Sequence, residues 1–167
     1  MKRGSAFQVN PPIRTHRDQQ RLREALSGGI IDFIGTDHAP HSQQEKHSSR
    51  PPSGIAAIEW LIPQMLHFVD EGLISWRRLH ELICSGASRC YSIPGRDGLK
   101  PGNAADLVLV RRSNDPIQPG RVQTKAATRI YENFNFRWVV VATMVNGVMK
   151  YENNRFYTEM KGMEVCP

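Results

Sequence analysis

The feature of this 167-residue sequence that most limits its fold is a change of apolar period near Pro94. Before it, apolar residues recur three and four positions apart; after it they come in short consecutive runs between glycines and asparagines. A helix buries a stripe of period 3.6 and a strand buries a face or a whole run, so the sequence predicts helices first and strands second. Thr15, with Asp18 three residues on, reads as a helix start, Leu22 and Leu26 follow one turn apart, and Ser27-Gly28-Gly29 ends it. Ile30–Thr36 reads as a buried parallel strand in which Asp32 needs a partner or an edge, and Asp37 to Ser53 as a polar loop. From Gly54 to Glu71 the positions Ile55, Ile58, Leu61, Ile62, Met65, Leu66 and Val69 predict an amphipathic helix closed by Gly72, kinked or broken at Pro63. Ser75 caps a further helix with Trp76, Leu79, Leu82 and Ile83, running towards Tyr91. Beyond it, 105–110 reads as a strand, and Trp138–Val145, Asn146-Gly147 and Val148–Tyr151 as a hairpin whose two turn residues want positive φ. The expected class is α/β: the end of an α/β unit over 1–94, then a small β part over 95–167.

Composition enters through what it excludes. With 40% hydrophobic and 23% charged residues the chain can bury a core, and no apolar run approaches the roughly 20 residues that span a bilayer. Two positive charges near the start have no apolar segment behind them, so no secretory signal is read and a cytoplasmic location is expected. Lys and Arg exceed Asp and Glu by 22 − 16 = 6, but the positive residues are scattered, Arg111-Arg112 being the densest spot, which suits a basic surface better than a nucleic-acid site. Cys84, Cys90 and Cys166 are odd in number and share no Cys-x-x-Cys spacing, so reduced thiols are expected rather than a disulfide or a thiolate metal site.

The chemistry concentrates in Gly35-Thr36-Asp37-His38-Ala39-Pro40-His41, a carboxylate and two imidazoles within five residues at the C-terminal end of the predicted strand. That end of a parallel strand is where α/β barrels build active sites. Asp37 suits an oxygen ligand to a metal, and two histidines suit ligands, proton shuttles or substrate donors. The same residues also suit an ordinary polar loop with a helix cap. Asn10 before Pro11-Pro12 suits a turn, Arg14 a structural ion pair and His38 a structural role, while His16, His47, His67 and His80 carry no supporting context.

These residues also carry a family resemblance. Gly35–His41 stands in order with Val9-Asn10-Pro11-Pro12-Ile13-Arg14, Glu45-Lys46, Pro52-Ser53-Gly54-Ile55 and Pro101-Gly102-Asn103-Ala104-Ala105-Asp106-Leu107-Val108-Leu109. This series resembles the C-terminal part of a dihydroorotase, one of the metal-dependent cyclic amidohydrolases, and runs from about residue 8 to residue 151. Allantoinases and dihydropyrimidinases share the architecture; Asp-His-Ala-Pro-His joined to Asn-Pro-Pro points more to dihydroorotase.

The resemblance implies the last two units of a (β/α)8 barrel plus strands of its small β-sandwich. It implies hydrolysis of dihydroorotate to N-carbamoyl-aspartate, in pyrimidine synthesis. Asp37 matches the aspartate that binds one zinc and shuttles a proton from the metal-bound hydroxide to the leaving amide nitrogen. Asn10 and His41 match substrate contacts, and Ser53 and Gly54 the place where backbone groups meet the pyrimidine ring edge. The family's other metal ligands, a His-x-His pair, a bridging carboxylated lysine and two further histidines, have no counterpart in this sequence. A zinc site needs three or four protein ligands, so the chain alone is expected to be inactive and to need a complementary N-terminal chain. The rival reading is a non-catalytic scaffold that docks aspartate carbamoyltransferase. An oligomer is expected in either case.

Overall fold

The computed structural model describes residues 4–115, 123–124, 126, 129–131, 133–158 and 164–165; Cys166 lies outside them. Among the described residues every α-helix precedes Tyr91 and every strand follows Asp106, the order that the change of period predicts.

Helix α1 (His16–Ser27) opens on the expected capping box. Thr15 Oγ1 accepts from the Asp18 N–H at 3.3 Å, and the Asp18 carboxylate accepts from the Thr15 N–H at 2.9 Å. The Thr15 hydroxyl and N–H donating to it hold the Asp18 carboxyl below its usual range. Leu26 is buried, but Leu22, one turn earlier, is exposed.

The next segment corrects the sequence reading. Ile30–Thr36 is not a strand, and Ile30 is 79% exposed. A strand exists only where neighbours share a ladder, and no strand lies beside this one among the described residues. Two of its backbone groups bond to the helices that follow: Ile34 N–H donates to the Leu82 carbonyl at 2.9 Å, and the Arg78 guanidinium donates to the Ile31 carbonyl and, at 2.9 Å, to that of Leu26 in α1. Asp32 is exposed.

The polar loop is also broken by order. Helix α2 (Gln43–Lys46) carries its own capping box, Ser42 Oγ accepting from Glu45 N–H at 3.2 Å and the Glu45 carboxylate from Ser42 N–H at 2.7 Å.

Helix α3 starts later than predicted. A 3-10 turn at Ile58–Trp60 precedes α3 (Leu61–Asp70), so Pro63 falls in the first turn. There its missing N–H costs no intrahelical bond, and no break follows.

Ser75 caps α4 (Trp76–His80), accepting from the Arg78 N–H at 3.1 Å. The helix runs on through a π turn (Glu81–Ser85) into α5 (Gly86–Cys90). Gly86 explains how this column sits. A Cβ there would fall inside van der Waals contact with the Asp32 carbonyl oxygen, so helix backbone lies directly on the 30–36 segment. Gly86→Ala is therefore expected to lower stability by about 1–3 kcal/mol, read as the urea midpoint of unfolding. An unchanged midpoint would mean that 30–35 is not seated on the helix.

The strands form one antiparallel sheet in the order β1-β2-β3-β4, with β1 Leu107–Arg112, β2 Trp138–Val145, β3 Val148–Glu152 and β4 Arg155–Phe156. Asn146 (φ 51°) and Gly147 (φ 77°) make the predicted turn between β2 and β3. Ala105 and Asp106, read as strand, grip that turn instead. Gly147 N–H donates to the Ala105 carbonyl at 3.0 Å, Asn146 N–H to the Asp106 carboxylate at 2.7 Å, and Arg96 pairs with Asp106 while donating to the Asn146 side-chain carbonyl at 2.6 Å.

Leu26, Met65, Leu66, Ile74, Leu79 and Leu82 form the buried core, and Val110 and Trp138 pack on it from the sheet. Asp70, closing α3, accepts from Trp138 Nε1 at 3.1 Å and pairs with Arg112 at 3.3 Å. No helix among the described residues is long and apolar enough to cross a membrane.

Candidate active site

Three segments meet at Gly54. Its N–H donates to the Gln8 carbonyl at 3.0 Å, two residues before Asn10. Its φ of 138° suits only glycine, and a Cβ there would collide with the Ala39 side chain and come within 3.2 Å of His41 Nε2. Beside it, His38 and Ile55 form a parallel bridge, Ala39 N–H donating to the Ile55 carbonyl at 3.0 Å.

Asp37 directly precedes that bridge. It is exposed, and its φ of +44° is one that few residues other than glycine adopt. His41 Nε2 lies 3.1 Å from the Ser53 carbonyl oxygen. A carbonyl only accepts, so Nε2 carries the proton and, in the neutral ring, Nδ1 is the acceptor. Asn10 is exposed and leads into a cis peptide bond with Pro11. The structure thus gathers the Asn10 segment, His41, Ser53 and Gly54 at the end of the 30–36 segment where Asp37 stands.

His38 stays outside this group as a structural residue, its Nδ1 accepting from the Ile58 N–H at 3.1 Å. Among the described residues Arg14 forms no ion pair, in place of the structural one expected. His67 is half-buried, 3.2 Å from Glu71 and edge-on to Phe136.

Comparison with known proteins bears directly on this arrangement. The model of the amidohydrolase family matches residues 12–150, most of the chain. The chain belongs to the amidohydrolase family. Among curated relatives in this family, a dihydroorotase from Shouchella clausii is 34% identical over 157 residues, covering 92% of this chain and 36% of its own length. A dihydroorotase from Anoxybacillus flavithermus is 33% identical, with 89% and 36% covered. The chain therefore spans little more than a third of the relatives it matches. Among solved structures of similar fold, a D-hydantoinase from Thermus sp. has a TM-score of 0.83 at 24% identity, covering 93% of this chain and 36% of that one. An L-hydantoinase from Arthrobacter aurescens has a TM-score of 0.75 at 24% identity, with 93% and 40% covered. The fold is thus shared with a little over a third of each of these longer chains.

Amidohydrolase relatives of this kind imply a metal, but the residues described here do not complete a site for one. No group of three or more His, Cys, Asp or Glu side chains among them is placed to hold an ion. Asp37 alone falls short of the three or four protein ligands zinc takes. The sequence reading also passed over a buried charge, Lys46, whose ammonium donates to the Gln8 carbonyl at 3.0 Å and the Pro52 carbonyl at 2.9 Å. Its presence in the Glu45-Lys46 motif was the available signal, but burial is a tertiary property that spacing along the chain does not carry.

Proposed function

We propose that this chain supplies the Asp37 corner of a dihydroorotase-like site, opening the cyclic amide of dihydroorotate to N-carbamoyl-aspartate in the cytoplasm. In this reading it forms the last two β/α units of a (β/α)8 barrel with part of the small β-sandwich. The 30–36 segment is then a barrel strand whose neighbours belong to a metal-binding segment not contained in these 167 residues. The observation that carries the proposal is the meeting of the Asn10, His41 and Ser53-Gly54 segments beside an exposed carboxylate.

The chemistry follows from what each group can do. Opening the ring adds a water oxygen to the carbonyl carbon, breaks the ring C–N bond and moves one proton from the water to the leaving nitrogen. The Asp37 carboxylate takes that proton and returns it to nitrogen, a transfer that a positioned carboxylate performs in both directions. Asn10 offers a side-chain amide and His41 an imidazole to the substrate's polar groups, while Ser53-Gly54 presents backbone to the ring edge. Zinc is proposed for the completed protein, with Asp37 as one of its ligands.

The test is to mix the chain with the N-terminal, zinc-binding part of a dihydroorotase relative and to follow dihydroorotate hydrolysis and zinc content together. Turnover and retained zinc are expected in the mixture and neither in the chain alone. Within the active mixture, Asn10→Ala and His41→Ala are expected to raise KM about tenfold with zinc content unchanged. Zinc loss in either variant would contradict these roles. Hydrolysis of a hydantoin or dihydropyrimidine in place of dihydroorotate would favour an allantoinase- or dihydropyrimidinase-like hydrolase, the architecture of which the hydantoinases share. A zinc-loaded mixture without turnover on any of these would leave the scaffold that docks aspartate carbamoyltransferase.

A further inference from the structure

Lys46 is the buried cation for which the proposed chemistry has no use. It is only 9% exposed, and among the described residues no carboxylate pairs with it. Burial of a lysine without a counter-charge is costly and requires its N–H groups to be satisfied. Desolvation accordingly pulls the Lys46 ammonium below its usual range.

What satisfies Lys46 is specific. Its two acceptors belong to segments far apart in sequence, the Gln8 carbonyl at 3.0 Å and the Pro52 carbonyl at 2.9 Å. Gln8 lies two residues before Asn10, and Pro52 directly precedes Ser53-Gly54. The same two segments share two further bonds, Gly54 N–H to the Gln8 carbonyl at 3.0 Å and Gln8 Nε2 to the Pro51 carbonyl at 2.7 Å. The Gln8 carbonyl thus accepts from both Lys46 and Gly54, and a charged donor makes the stronger of such bonds. Lys46 reaches this point because the capping box at Ser42 and Glu45 starts α2 and places Lys46 in its last turn.

The geometry points to Lys46 as a positioning residue that clamps the Asn10 segment to the Ser53-Gly54 segment, so that the proposed substrate contacts on the two segments keep one spacing beside His41. This inference rests on the reading given under the proposed function. It adds to it the element that makes the site one unit before substrate arrives, since a site loosened by about an ångström loses much of its rate.

The experiment is amide hydrogen exchange on the full 167-residue chain, comparing the unaltered protein with Lys46→Met and Lys46→Arg. Lys46→Met keeps an unbranched stem, one atom shorter, and removes the charge and its donors. The expected result is at least tenfold faster exchange at the Gly54 amide, with the amides of the β2–β3 hairpin and of Leu79 in α4 unchanged. Lys46→Arg, which can still donate to both carbonyls, is expected to restore most of the Gly54 protection. Unchanged Gly54 exchange in Lys46→Met would overturn the clamp. Faster exchange throughout the chain would also overturn it, by showing a general contribution to stability in place of a local one.

In the two-chain assay, Lys46→Met is expected to raise KM at least tenfold with a smaller change in kcat. Turnover with the Gly54 amide unaffected would sink the clamp alone. The expected exchange pattern without turnover on any substrate would sink the enzymatic reading alone.

Discussion

Asp37→Asn is expected to lower dihydroorotate turnover in the two-chain assay by at least about a hundredfold, because an amide cannot accept and return the proton that the carboxylate moves between water and ring nitrogen. Asparagine is the informative replacement at this position. The backbone there has a φ of +44°, which asparagine tolerates better than alanine does, so the substitution changes the proton chemistry and leaves the turn in place. Asp37 is also exposed, so its loss removes no packing from the core. The control is the unfolding midpoint of the chain, which is expected to stay within about 0.5 kcal/mol of the parent, as surface substitutions usually do. Parent-like turnover in Asp37→Asn would remove the residue from the mechanism. A large loss of stability without loss of turnover would show that the carboxylate serves the turn.

The second large effect is structural. Phe136 is fully buried, its ring stacked at 5.3 Å on Phe134 and set 5.7 Å from Trp60, 5.6 Å from His67 and 6.1 Å from Tyr131. Trp60 ends the 3-10 turn that leads into α3, so this cluster holds Tyr131, Phe134 and Phe136 against the start of that helix. Phe136→Ala would empty a site that several rings share, and the expected loss is about 3–5 kcal/mol. That is a large part of the roughly 5–15 kcal/mol by which small domains are stable. Phe134, stacked on the same ring but 46% exposed, gives the comparison: Phe134→Ala is expected to cost clearly less. Urea unfolding of the two variants decides it. Equal midpoints would mean that the cluster does not hold this region.

How much of this was legible in the sequence depends on how far each residue has to reach. The capping box at Thr15 and Asp18, the cap at Ser75 and the turn at Asn146-Gly147 all form between residues at most four apart, and all three stand where the sequence places them. The capping box at Ser42 and Glu45 has the same reach and was equally readable; it was passed over because α2 is only four residues long and the segment carries no apolar period. The site was partly legible for the same reason. Asp37 and His41 lie within one short stretch, whereas the segment of Gln8, two residues before Asn10, meets the segment of Pro51 and Gly54 through hydrogen bonds spanning more than forty positions.

The sequence by itself determined the order of helices and strands, the local caps and turns, and which residue types stand near Asp37, because these follow from side-chain period and from hydrogen bonds within a few residues. Only the tertiary structure decided the rest. Ile30–Thr36 has the composition of a strand and is not one here, since its ladder depends on neighbours that composition cannot supply. Pro63 breaks nothing because the 3-10 turn at Ile58–Trp60 moves the helix start to Leu61. Lys46 is buried where the Gln8 carbonyl, 38 residues away, converges on it together with the nearer Pro52 carbonyl, and convergence of that kind is a property of the folded chain alone.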